Sequence, residues 1–187
     1  MDGLEEWLAD SYAPAYRAAC LLLRDPIDAQ DAVQEAFLRV WRFRDAVPAG
    51  AGRRPWLYRV VTNTCLSRLR AQKVRATVPL DEPDATASQG DYGDPTRAAE
   101  LSGMAADVIA ALAALPEMLR VPVVLRWYVG LSEKEVAVAI KRRPGTVKSR
   151  LHDAKQLLAN DARLAAWARN EVHTAPDDAG TAEGIAR

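Results

Sequence analysis

The sequence predicts an all-α protein made of two small helical domains joined by a flexible acidic linker, the second domain containing a helix-turn-helix. Three observations carry that reading. Of 187 residues, 49% are hydrophobic but only 6% aromatic, with abundant alanine and no β-rich run. Apolar positions recur at helical spacing in several stretches. Between two such regions lies ATVPLDEPDATASQGDYGDPTR, residues 76–97, with three prolines, two glycines and five acids. Such a segment cannot bury enough surface to order itself. The expected organisation is a first domain over 1–75, the linker over 76–97, a second domain over 98–168 and a disordered tail over 169–187.

The first domain reads as three helices. One runs from about Leu4 to Leu23 and stops near Asp25-Pro26. A second spans about Asp28 to Phe43. Gly, Pro and Ala in DAVPAGAGRRP mark a loop, and a long helix follows from Pro55 to about Val74. In the second domain a helix spans about Ala98 to Ala114, where Leu101, Met104, Ala105, Val108, Ile109 and Leu112 form one stripe. Pro116 is placed to open the next helix. Pro122 removes one of its early hydrogen bonds, so a bend is expected there. Ser132 with Glu135 makes a capping box, and Leu131 with Val136 a hydrophobic staple. A short helix follows, then the basic turn KRRPG, then a second helix, which is the sequence form of a helix-turn-helix.

The formal net charge of zero is unevenly distributed. Met1–Arg75 holds twelve Lys/Arg against nine Asp/Glu, and Ala76–Glu100 one against six. Leu101–Asn160 holds nine against five, and the remainder three against five. Two basic blocks around an acidic one suit a polyanionic partner.

On a wheel of 100° per residue, Val147, Leu151, Ala154 and Leu158 fall within about sixty degrees of one another and form the buried stripe of the last helix. Opposite stand Lys148, Ser149, His152 and Gln156, with Lys155 at the flank, all of the kind that reach base edges in a major groove. Lys141, Arg142 and Arg143 lie in the turn, where helix N-terminal amides also favour phosphate. In the first domain, DAQDAVQEAFLRVWRF buries Ala29, Ala32, Val33, Ala36, Phe37 and Val40. Its wet face carries Asp31, Gln34, Glu35, Leu38 and Arg42. A leucine in that polar face is slightly costly to expose, and a protein partner docking there accounts for it.

DAQDAVQEAFLRVW, PWLYRVVTNTCLSRLR, LPEMLRVPVVLRWYVGLSEKEVAVAI and GTVKSRLHDAKQLL, in that order, resemble the bacterial extracytoplasmic-function (ECF) sigma factors of the sigma-70 family. The resemblance runs from about Tyr12 to about Leu158. It implies a promoter-specificity subunit that binds core RNA polymerase, recognises the −35 and −10 promoter elements and helps open the DNA. Asp31, Gln34, Glu35 and Leu38 match the face that docks on the polymerase. Asn63 matches a position near the −10 element in opened DNA, and the loop from Arg44 to Arg54 a segment that captures a flipped base. Arg53, Arg54, Arg59 and Arg68 are candidate phosphate contacts on that side. Lys148, Ser149 and His152 match positions facing the −35 duplex and Arg126 a phosphate contact; Arg142, Arg143 and Lys155 complete that candidate surface. The resemblance also implies an anti-sigma factor that holds the protein inactive, in some cases at the membrane, and a linker threading towards the polymerase cleft.

The chain departs from the family pattern at three positions. Lys141 stands where glycine is usual, which costs roughly a kcal/mol if the backbone there is left-handed. Arg143 is a poor N-cap, and Asp153 occupies a position that often carries a basic residue.

The alternative reading is a stand-alone helix-turn-helix transcriptional regulator acting without polymerase docking. An enzyme is not expected: no phosphate-binding glycine loop, HExxH or nucleophile elbow occurs. Cys20 and Cys65 lack metal-ligand spacing and read as buried thiols, so neither metal nor cofactor is expected. The acidic N-terminus is not a signal peptide and no apolar run is long enough to span a bilayer, which predicts a cytoplasmic protein; the resemblance implies that it is nucleoid-associated.

Overall fold

In the computed structural model, residues 3–77 and 103–165 are described, and every regular element among them is helical. In chain order these are α1 (Leu4–Leu23), α2 (Pro26–Arg42), α3 (Arg53–Thr77), α4 (Gly103–Ala114), α5 (Glu117–Val123), α6 (Glu133–Ala139) and α7 (Pro144–Ala159). Short 3-10 turns at Arg44–Ala46 and Gly50–Gly52 shape the α2–α3 loop. Apart from Ala76 and Thr77, which end α3, the expected linker over 76–97 lies outside the described residues. So do residues 98–102, including Leu101 of the expected stripe, and the expected tail over 169–187.

α1 spans the expected residues and ends at Arg24, whose φ of 64° is left-handed and whose N–H donates to the Cys20 carbonyl at 2.9 Å. α2 starts two residues earlier than expected. Asp25 is its N-cap, accepting from the N–H groups of Ile27 and Asp28 at 2.8 Å, and Pro26 takes the first helical position where no N–H is needed. α3 likewise opens before its proline, since Pro55 in a first turn sacrifices no helical hydrogen bond.

The first half of the chain packs α1, α2 and α3 around Leu22, Val33, Val40, Leu57 and Val61. Ala15, Ala19, Ala29, Ala32 and Ala36 are fully buried, and their short side chains let α1 and α2 approach closely. Cys65 is buried too, and that burial pushes its thiol up to about 12, which makes it inert at neutral pH. The second half packs α5, α6 and α7 around Val124, Leu125, Val129, Val136 and Val147. Pro116 is the N-cap of α5, its carbonyl accepting from Leu119 and Arg120 at 2.9 Å. After Pro122 the helix widens into a π-helical turn, Val124–Tyr128, closed by the Val129 N–H on the Val124 carbonyl at 2.9 Å.

The linker composition predicts separation along the chain, yet the two halves touch in space. Buried side chains from both form one continuous core. Arg17 Nε donates to the Tyr128 hydroxyl at 3.1 Å, Arg54 donates to the Val129 carbonyl, and Lys73 pairs with Glu117. Arg120, 5% exposed, donates across the junction to the Leu22 carbonyl at 3.1 Å. It also donates to the Ala113 and Leu115 carbonyls of its own half at 3.3 Å.

Arg120→Met keeps an apolar stem and removes the group that serves these carbonyls. Urea unfolding is expected to show a loss of about 2–3 kcal/mol. Lys73→Ala, at a mostly exposed ion pair, is expected to stay within about 0.5 kcal/mol of the parent.

Candidate nucleic-acid and polymerase interface

The wet face of α2 is mixed in character. Asp31, Gln34 and Leu38 are exposed and Glu35 is half-buried, with Leu38 at 69% exposure. Trp41 and Phe43 extend the exposed apolar surface past Leu38 towards the end of the helix. Arg68 comes from α3 into this face: its guanidinium lies 3.6 Å from the carboxylates of Asp28, Asp31 and Glu35. Arg39 holds Glu35 from the other side at 2.5 Å. Arg68 therefore stands apart from the other arginines with which sequence reasoning grouped it, because its position on α3 turns it towards α2.

Those other arginines gather where the α2–α3 loop meets α3. The Arg53 guanidinium stacks 5.3 Å from the Trp7 ring centroid and that of Arg54 lies 5.9 Å from the Tyr58 ring. Burial raises the pKa of Tyr58 against the opposing Arg54 charge, so its phenol stays neutral. Arg59 is exposed and Asn63, one turn on, is half-buried on the same side of α3. Gly50 supplies a φ of 60° in the loop, and a Cβ at Gly52 would lie 3.1 Å from that of Pro48. Pro48, Trp56 and Arg59 line one wall of a groove of about 300 Å³ whose other wall is Lys134 and Val138 of α6.

In the second half, the Ser132 hydroxyl accepts from the Glu135 N–H at 3.3 Å and the Glu135 carboxylate accepts from the Ser132 N–H at 2.7 Å. Hydrogen bonding to the carboxylate from the Ser132 hydroxyl first, and then from the Ser132 N–H, holds the Glu135 carboxyl below the usual carboxylate range. Leu131 and Val136 are both buried beside the cap. Between α6 and α7, Lys141 has a φ of 53°, the left-handed backbone that favours glycine. Arg143 caps α7 in extended geometry without a side-chain hydrogen bond, and Pro144 opens the helix. Val147, Leu151 and Ala154 are buried and Leu158 is half-buried. Lys148, Ser149, His152, Lys155 and Gln156 are exposed along the opposite side, with Arg142 and Arg143 exposed in the turn. The Ser149 hydroxyl donates to the Thr146 carbonyl at 3.2 Å, and His152 and Gln156 lie 3.2 Å apart through their Nε2 atoms. Arg126 is partly turned inward, donating to the Leu131 carbonyl at 3.2 Å.

A basic helix presented behind a capped helix and a separate acidic-apolar helix face is the arrangement that family comparison then identifies. The Sigma-70 region 2 family model matches residues 8–75 and the Sigma-70, region 4 model residues 105–158. The RNA polymerase sigma-H factor of Pseudomonas aeruginosa is 31% identical over 73% of this chain and 74% of its own length. The chain belongs to the ECF sigma factors of the sigma-70 family. The ECF RNA polymerase sigma factor SigE of Mycolicibacterium smegmatis is 33% identical over 76% of this chain, which spans 55% of that relative's length. The sigma factor RpoE of Bartonella quintana, solved in complex with the anti-sigma factor NepR, shares the fold at a TM-score of 0.64 and 21% identity, covering 85% of this chain and 96% of that one.

As an ECF sigma factor the chain is a promoter-specificity subunit of RNA polymerase, and this reading is favoured over the stand-alone regulator. The family acts as a non-catalytic initiation factor. No helix among the described residues is long and apolar enough to cross a membrane. Sequence reasoning missed the junction residues Arg17, Tyr128 and Arg120. Arg120 had a signal: it is a lone cation in the apolar run MLRVPVVL, and a charge there must find carbonyls or stay wet.

The depressed carboxyl of Glu135 gives a pH test. A carboxylate whose folded pKa is lowered contributes stability above its unfolded value, near 4.3, and loses it as pH falls through the folded value. Glu135→Gln is therefore expected to melt below the parent at neutral pH. The difference should vanish in acid scans, once the parent's Glu135 is protonated as well. A pH-independent difference would assign the effect to packing.

Proposed function

We infer that three surfaces of the chain divide the work of polymerase docking and promoter recognition, and that it performs no chemistry of its own. In this reading Asp31, Gln34, Glu35 and Leu38 dock on core RNA polymerase, with Arg68 bracing the three carboxylates of that face. Arg53, Arg54 and Arg59 hold phosphates of the melted −10 strand beside Asn63. Lys148, Ser149 and His152 read the −35 duplex, while Arg126, Arg142, Arg143 and Lys155 contact its backbone. The observation that carries this is the sharp division of α7, with a buried Val147–Leu151–Ala154 stripe and hydrogen-bonding side chains exposed opposite. An anti-sigma factor as regulator and a cytoplasmic, nucleoid-associated location complete the proposal. A relative of the same fold was solved with such a partner.

Use of both DNA sites at once requires the two halves to part. Elements roughly 25 base pairs apart lie about 85 Å apart at 3.4 Å per pair. A compact chain of 187 residues has a radius of gyration of only about 16 Å. Thr77 and Gly103 are 26 residues apart in sequence, enough for about 90 Å of extended chain. Arg54 is engaged with Val129, and Arg59 faces α6 across the groove, until that separation occurs.

In vitro transcription with core polymerase lacking other sigma factors, on fragmented genomic DNA, tests the assignment. Specific starts dependent on this protein are expected. Lys148→Ala or Ser149→Ala should change which starts are used. Gln34→Ala with Leu38→Ala should abolish co-elution with core polymerase while leaving duplex binding intact. Equal loss of both functions in both variants would mean misfolding and remove the assignment.

Separation of the halves is checked by energy transfer between dyes at exposed Asp10 and Asn160, in a background with Cys20 replaced. Efficiency should be high in the free protein and fall on forming the polymerase–promoter complex. Unchanged efficiency would refute the opening.

A further inference from the structure

Where the two halves meet they leave a groove, and its walls carry charges that the closed chain does not use. Pro48, Pro55 and Trp56 form one wall and Val138 of α6 the other, around a space of about 300 Å³. Trp56 is half-buried and Val138 is 57% exposed, so apolar surface on both sides is left to water. Arg59 stands on the first wall and Lys134 on the second, both exposed. Among the described residues neither has a hydrogen-bond or ion-pair partner. The third charge of the lining, Glu135, is committed to the capping box, its carboxylate accepting from the Ser132 N–H at 2.7 Å. Closing the halves thus sets a cation of one against a cation of the other beside an apolar floor. An anion between them turns that repulsion into attraction.

We propose that the groove binds a small aromatic carboxylate and that this ligand clamps the two halves together. Its ring lies between Trp56 and Val138, and its oxygens accept from the Arg59 guanidinium and the Lys134 ammonium. The apolar walls select the ring and the facing cations select the charge. A space of about 300 Å³ stands at the small end of ligand pockets, which suits one or two rings. Both walls are needed, so the ligand binds only the closed chain and opposes opening by mass action. Occupancy of the site is independent of the reading of promoter recognition, whereas its effect on initiation rests on that reading.

The experiment titrates the full chain with 2-naphthoate by calorimetry. A Kd of about 0.1–1 mM is expected. Naphthalene-2-methanol keeps the rings without the charge and acetate the charge without the rings. Each should bind about tenfold more weakly or worse. Lys134→Ala is expected to weaken naphthoate binding about fivefold without lowering the melting temperature, since it removes one of two facing cations. Val138→Asp should weaken binding further, because its carboxylate meets that of the ligand. Neither residue belongs to the polymerase or DNA surfaces proposed above, so transcription without ligand should stay near the parent level. With dyes at Asp10 and Asn160, naphthoate at ten times its Kd should raise the core polymerase needed for half-opening on promoter DNA about tenfold.

Equal affinity for naphthoate and its neutral analogue would overturn the proposal, as would parent-like affinity in both variants. Tighter binding of adenosine monophosphate, which also joins a ring to an anion, would overturn the assignment to a carboxylate. An unchanged opening midpoint at saturating ligand would overturn the clamp. If polymerase and promoter fail to open the chain even without ligand, the reading of promoter recognition falls, while the calorimetry still decides the site.

Discussion

The guanidinium of Arg120 sits where helix ends from the two halves converge. It donates to Leu22 in the last turn of α1 and to Ala113 and Leu115 at the end of α4. The last carbonyls of a helix have no partners within it and carry a partial negative charge, so a cation between two such ends serves groups that otherwise need water. An isolated charge moved out of water costs several kcal/mol, and only multiple well-placed acceptors offset it. The position of Arg120 thus ties the end of α1 to the start of α5, beside the place where α1 meets the π-helical turn. Arg17 and Arg54 extend the same junction to Tyr128 and Val129.

This junction is polar at its edges, and that matters on the proposed reading, in which the two halves act at separate promoter elements. Each crossing hydrogen bond can be replaced by bonds to water, so its net contribution is about 0.5–1.5 kcal/mol, far below its gross strength. Exposed ion pairs such as Lys73–Glu117 contribute less still. A junction made only of apolar surface would lose its whole contribution on opening. A junction of arginines on carbonyls loses little per contact and releases cations that can meet phosphate. Arg54 illustrates the exchange: its partner in the closed chain is a backbone carbonyl, an acceptor that a phosphate oxygen outcompetes in charge.

The elements were legible in the sequence because each carries its own punctuation. Ser132 with Glu135 wrote a capping box that forms with both of its hydrogen bonds. The alternation of Ala, Val and Phe along α2 fixed its buried face, and the wheel of α7 separated the residues that are buried from those that are exposed. The strain at Lys141 was legible as a missing glycine. The start of α2 was misread by two residues, because Asp25-Pro26 looked like the end of α1 when it is also the cap and first turn of α2. Of the contact between halves only Arg120 left a mark, as a lone cation in an apolar run. The carbonyls that Arg120 and Arg54 reach leave none in a list of side chains, and the pairings of Arg17 with Tyr128 and Lys73 with Glu117 depend on how the helices meet in space. The placement of Arg68 among the carboxylates of α2 depends likewise on how two helices turn against each other.

The hydrogen bonds within α7 limit what its exposed face can say to a base pair. While the Ser149 hydroxyl donates to the Thr146 carbonyl, its remaining lone pairs can only accept, which suits the amino groups of cytosine or adenine in a major groove. If Gln156 donates to Nε2 of a neutral His152, the ring proton sits on Nδ1 and that nitrogen presents a donor, suited to the acceptor edges of guanine or to the O4 of thymine. Lys148 adds a flexible donor one turn before His152. The buried stripe prevents α7 from rotating to exchange these groups, so their chemistry follows from packing on the far side of the helix. On the reading that α7 faces the −35 duplex, its sequence preference is set by these few side chains, and the arginines of the turn add affinity that is indifferent to sequence.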